Sequence, residues 1–257
     1  MNVLAADSDQ VDANRVQLPG LWLWLSLTAA LLAAVGSVAG LWAIPRIYGK
    51  ETVALADAAT AQDIVNLVLV APLMAALAVV ASRGSLRAYL CLLGFLAFTV
   101  YNYAIYSFSI HFGPLFLVWV AALGLSLFAL IGSLSMLDAT AVKARFAGRA
   151  TPTPAWFLIV VGALFVLLWL SEIVPDLVGG EPPSSATDWN IPTNPVHVLN
   201  LAFFLSALLA SGVLLLRRCP VGYATAAGQL VWVALTCLPI VVTPVVANAR
   251  GHEPGWA

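Results

Sequence analysis

Charge is what this chain has least of. Lys, Arg, Asp and Glu make up only 9% of its 257 residues, against about 25% in a soluble domain. That scarcity excludes an ordinary soluble fold and points to embedding in a lipid bilayer. Lysine is rarer still: Lys50 and Lys143 both fall in connecting segments, which excludes a retinal Schiff base inside a helix. A net charge of -1 provides no basic surface for nucleic acid, whose binding needs clustered Lys and Arg. Cys91, Cys219 and Cys237 are too widely spaced for a metal-ligand pair, and two of them fall in apolar runs as buried thiols do.

Apolar residues, by contrast, account for 62% of the chain. Crossing a hydrocarbon core of about 30 Å takes roughly 20 helical residues. Seven runs meet or approach that length, at about 21–42, 64–82, 88–109, 115–137, 155–175, 196–216 and 227–247. Pro72, Pro239 and Pro244 lie inside spans, where neighbouring helices satisfy the freed backbone groups. An all-α polytopic membrane protein with seven transmembrane helices is expected.

Orientation follows from the basic residues. The second, fourth and sixth connections hold Arg83, Arg87, Lys143, Arg145, Arg149, Arg217 and Arg218, while the odd ones hold only Arg46 and Lys50. With Arg15 and Arg250 in the tails, the positive-inside rule places the N-terminus in and the C-terminus out. The first span is read as retained. It is preceded by a mostly polar stretch with Asp7, Asp9 and Asp12 rather than the short basic start of a signal peptide.

Residues 66–96 align without a gap on 200–230, at an offset of 134, with eight identities in thirty-one. These include Asn66-Leu67 on Asn200-Leu201, Arg83 on Arg217, Tyr89 on Tyr223 and Gly94 on Gly228. The expected organisation is a polar cytoplasmic tail over 1–20, a membrane domain over 21–247 and an external tail over 248–257. Within the domain, repeat one (21–109) and repeat two (155–247) flank a linker helix (115–137). One intervening helix makes the repeats parallel, a layout shared with the SWEET sugar carriers. The carriers' Pro-Gln motif is absent here, and the expected orientation is the reverse.

Polar residues crowd toward one end of these spans, as side chains avoiding lipid do. Asp63 and Asn66 open the second span, Asn102 and Tyr106 close the third, and His111 follows it. Glu172 and Asp176 close the fifth, and His197 and Asn200 open the sixth. Asp63/Asn66 and His197/Asn200 are each three apart and so share a helix face. Under the repeat those two faces would oppose one another. Asp63, Asn66, Asn102, Tyr106, His111, Glu172, His197 and Asn200 are therefore the candidate ligand-binding residues of an outward-opening pocket. Bland roles compete: Thr193 or Asn194 caps the sixth span ahead of Pro195, and the asparagines serve as interhelical glue.

The first functional expectation is binding or transport of a small polar solute. The alternatives are an outer-leaflet enzyme, with His111, His197, Glu172 and Asp63 as metal ligands or base, and a structural or accessory subunit. Neither cofactor nor oligomeric state is readable. The segments Tyr101-Asn102-Tyr103 through Phe108, His111-Phe112-Gly113-Pro114, and Thr193 through Phe204 resemble bacterial multi-spanning membrane proteins with no assigned activity. The resemblance covers about half of the chain and implies that the external-side motifs are a family feature; the expected location is a bacterial plasma membrane.

Overall fold

Seven helices are long and apolar enough to cross a bilayer: α1 Gly20–Trp42, α2 Val53–Ser82, α3 Leu86–Ser109, α4 Phe116–Ser135, α5 Pro152–Gly179, α6 Pro195–Leu216 and α7 Pro220–Ala249. They come from a computed structural model that describes residues 19–149 and 151–253. The tail bearing Asp7, Asp9, Asp12 and Arg15 lies outside the described residues. Short helices, Ile44–Ile47, Ala139–Arg145 and Ser184–Trp189, occupy connections, and no strand occurs among the described residues. The protein is an all-α, multi-pass membrane protein.

Two helices start well before their expected positions. α2 begins at Val53, not near residue 64, with the Thr52 hydroxyl accepting from Leu55 N–H at 3.3 Å as its cap. Asp57, Gln62 and Asp63 had shortened the apolar run, yet all three are buried against protein instead of facing lipid. α7 begins at Pro220, not near 227, with Pro220 in the first turn and Thr225 donating to the Ser211 hydroxyl of α6 at 2.9 Å. Asp63 and Asn66 consequently lie about three turns inside α2.

α3 is the most enclosed helix and α5 the least. α1 packs on α2 and α4, α3 on α2, α4 and α7, and α6 on α5 and α7. The central α3–α7 crossing is tightest at Gly94 and Gly228. A Cβ at Gly94 would sit 2.5 Å from the Gly228 carbonyl oxygen and 2.6 Å from Val231 Cβ, so only glycine allows this approach.

Both α2 and α6 are interrupted by one π-helical turn, Asn66–Val70 and Asn200–Phe204. In each, the N–H five residues on (Ala71 or Leu205) donates to the asparagine carbonyl. The turns are separated by the same 134 positions as the sequence alignment. They are supported differently. Pro72 follows the first, where the widened turn absorbs its missing N–H and bulky ring. In α6 the Ser206 hydroxyl donates to Leu201 O, five residues back, at 2.8 Å.

Candidate functional site

A cavity of about 720 Å³ lies where α2, α3, α5, α6, α7 and the Ser184–Trp189 helix converge, a volume suited to a drug-sized ligand. On α7 its lining runs from Trp232 to Ala247, about 22 Å at 1.5 Å per residue. Its inner end is apolar and aromatic, with Phe98, Leu205, Leu208 and Trp232. Its other end, toward the Ser184–Trp189 helix, carries Asp57, Glu172, Ser185, Asp188 and Asn194. It is lined from both halves of the chain.

The eight sequence-derived residues divide among three places. Asn102, Tyr106, Glu172 and Asn200 line the cavity; Asp63, Asn66, His111 and His197 are not among its lining residues. Asn102 and Asn200 are buried, and Asn102 Nδ2 and Asn200 Oδ1 have no hydrogen-bond partner. Asn200 Nδ2 donates to Tyr101 Oη at 3.4 Å. Tyr101, Phe204 and Trp232 form an aromatic cluster beneath, with the Phe204 and Trp232 rings stacked at 5.1 Å. Trp232 Nε1 is also buried without a partner. Leaving such groups unpaired away from water costs about 1–3 kcal/mol each, so a ligand or water that pairs them gains that much.

Asp63 occupies a closed nest behind the cavity wall. Tyr48 Oη donates to its Oδ2 at 2.6 Å, and Tyr106 Oη to its Oδ1 at 3.3 Å and to Ala59 O at 2.9 Å. Gly40 of α1 leaves room for the carboxyl group, since a Cβ there would overlap Asp63 Oδ2. Burial, and next the Asp63 carboxylate, push the Tyr48 phenol well above its ordinary range, so it stays a donor. Asn66 is tied to its own helix, accepting from Gln62 Nε2 at 3.0 Å.

His197 turns the other way, toward α5. Its ring lies 4.7 Å from that of Trp169, and its Nε2 is 3.5 Å from Glu172 Oε2 without forming a hydrogen bond. Asp63 and His197 thus each face their own half, and the expected opposition across an axis is not what the side chains do. Glu172 accepts from Ser185 N–H at 3.2 Å. His111 is peripheral, with its backbone N–H and Nδ1 held by Glu51 at 3.0 and 2.9 Å. Of the four candidate metal ligands only His197 and Glu172 lie together, and among the described residues no three His, Cys, Asp or Glu side chains converge to hold an ion.

Two further anchors have no signature in the sequence. Buried Asp57 of α2 bonds Arg250 Nη1 at 2.5 Å and His252 Nδ1 at 2.7 Å, tying the end of α7 across the polar end of the cavity. Glu51, whose side chain is wholly enclosed, pins the α3–α4 connection through His111. A buried acid demands a partner, but partners this distant along the chain leave no local pattern. Asn194, by contrast, is the expected cap of α6, accepting from Val196 N–H at 2.9 Å.

Neither family models, nor curated proteins, nor solved structures match the chain.

Proposed function

We propose that this protein is a two-repeat membrane protein that binds a small molecule in the cavity between its halves, from the outer side. The carrying observation is a cavity of about 720 Å³ lined from both halves of the chain, whose lining residues Asn102, Asn200 and Trp232 each keep a buried side-chain atom without a hydrogen-bond partner. A structural subunit has no use for such unpaired groups beside an internal space. The apolar inner end shifts the ligand from the strictly polar solute expected from sequence to one with an apolar body. Two repeats, related by an axis beside Gly94 and Gly228, are supported by the matched π-turns and by the matching contacts α1–α2 with α5–α6 and α2–α3 with α6–α7. The same paired π-turns favour a carrier over a fixed receptor, because irregular helices at a repeat interface are where carriers bind and hinge.

Cys237 supplies the test. It lines the cavity 12 residues before the end of α7, about 18 Å along the helix, a depth that an aqueous reagent reaches only through a water-filled space. With Cys91 and Cys219 replaced by Ser, an impermeant methanethiosulfonate is expected to modify Cys237 from outside in right-side-out vesicles. Ala58→Trp, which fills the outer end, should slow the reaction about tenfold. Cys237 that stays inert until denaturation, or reacts only from inside, defeats the proposal.

A further inference from the structure

Resting on that cavity reading, we propose that the ligand is an amphipathic organic cation taken from the lipid phase. Charge and shape argue for it separately. The lining includes four carboxylates, Asp57, Glu172, Asp188 and Glu253, and no Lys or Arg among the described residues. Arg250 and His252 engage Asp57, Arg250 reaching Thr60 Oγ1 as well, and Glu172 accepts a backbone N–H and stands 3.5 Å from His197 Nε2, an ion pair only when that imidazole is protonated. A cleft lined by one sign of charge between low-dielectric walls concentrates the opposite ion. Trp169 and Trp232, which also line it, offer faces for a cation. Asn102, Asn200 and Trp232, which line the cavity, keep unused hydrogen-bonding atoms buried just behind its wall, an acceptor at Asn200 Oδ1 and donors at Asn102 Nδ2 and Trp232 Nε1.

The route is visible in the packing. A second, mostly apolar hollow opens between α5 and α7 and shares Phe165, Trp169, Glu172, Cys237 and Ile240 with the cavity. Leu168, Ile240 and Val241 are exposed on its flanks. In the other half the corresponding cleft between α1 and α3 is closed by α4, whose buried Trp119 packs edge-on against Tyr106 at 5.4 Å. Ile240 stands 134 positions after Tyr106, and among the described residues no helix takes the place of α4 there. The cavity is thus sealed toward one side of the bilayer plane and open to lipid on the other, as uptake of an amphiphile requires.

Tetraphenylphosphonium and tetraphenylborate, of nearly equal shape and opposite charge, separate the terms. Equilibrium dialysis of the full chain in a neutral detergent should show saturable binding of the cation, at least about tenfold tighter than the anion. Glu172→Gln with Asp188→Asn, both at accessible positions, should weaken the cation about tenfold and leave the anion no weaker. Equal binding of both ions, lost together in Ala58→Trp, would overturn the cationic class while the cavity stands. Absence of saturable cation binding in protein whose Cys237 still reacts from outside overturns it equally. Absence of binding with inert Cys237 removes the cavity reading and this inference with it.

Discussion

Three residues before the first π-turn stands Asp63, enclosed by Tyr48, Tyr106 and the glycine notch of α1. Three residues before the second stands His197, lodged between Trp169 and Glu172 at the edge of a hollow that no helix covers. The backbone device is the same and the outcome is opposite. In the first half a short connecting helix and α4 close over the polar group, and its hydrogen bonds become structure. In the second half no further helix among the described residues covers the α5–α7 side as α4 covers the first half, and His197 Nε2, held between Trp169 and Glu172, is left without a hydrogen bond. The surroundings of a π-turn, more than the turn itself, decide whether its polar neighbour is hydrogen-bonded into the bundle or left unpaired.

The largest effect that tests this contrast is on stability. Asp63→Leu strands the buried Tyr48 phenol, while Tyr106 keeps its bond to Ala59 O; an unpaired buried group costs about 1–3 kcal/mol, so a loss of about 2 kcal/mol is expected. His197→Leu breaks no hydrogen bond at Nε2 and should cost under about 1 kcal/mol while altering ligand binding. Thermal unfolding in detergent, followed by circular dichroism, measures both. Equal losses would show that the two positions play the same part.

A second contrast sits at the α3–α7 crossing. Gly94→Ala places a methyl group against the Gly228 carbonyl and Val231, and overpacking of this kind costs about 1–3 kcal/mol. A Cβ on Gly228 meets Gly94 N at 3.3 Å and little else closer than ordinary contact. Gly228→Ala should therefore cost less than about 1 kcal/mol in the same unfolding experiment. The positions correspond in sequence but not in space, because the helices do not meet symmetrically about them. Reversal of the order would place the tight side of the crossing on the other helix.

The seven helices were legible because lipid demands long apolar runs, and α1, α3, α4 and α6 end within a few residues of expectation. The starts of α2 and α7 were not, since buried polar residues such as Asp57 and Gln62 break a run without ending a helix. The crowding of polar groups was legible too, as four of the eight nominated residues share one cavity. Their facing was not. Regular spacing put Asp63 and Asn66 on one face, but a π-turn beginning at Asn66 adds a residue and rotates the preceding part of the helix by about 100° against the remainder. Asp57 and Arg250, 193 positions apart, could be joined only by the fold.

The smallest effect compares the two helix caps. Thr52 accepts from Leu55 N–H at 3.3 Å, and Asn194 accepts from Val196 N–H at 2.9 Å, so alanine at either should cost about 1 kcal/mol. In stability, then, the halves are expected to look alike. In binding they are not, because Asn194 also lines the cavity and Thr52 does not. Fraying the first turn of α6 moves Asn194 directly and loosens His197 and Asn200 behind it. Fraying α2 shifts Val53, Ala54 and Leu55, which line the cavity without offering a polar side-chain group, while Asp57 remains clamped by Arg250 and His252. Asn194→Ala is therefore expected to weaken tetraphenylphosphonium binding several-fold and Thr52→Ala to leave it unchanged, with dialysis and unfolding run on the same preparations. Equal binding in the two variants would show that the start of α6 contributes nothing to the cavity beyond holding the helix in place.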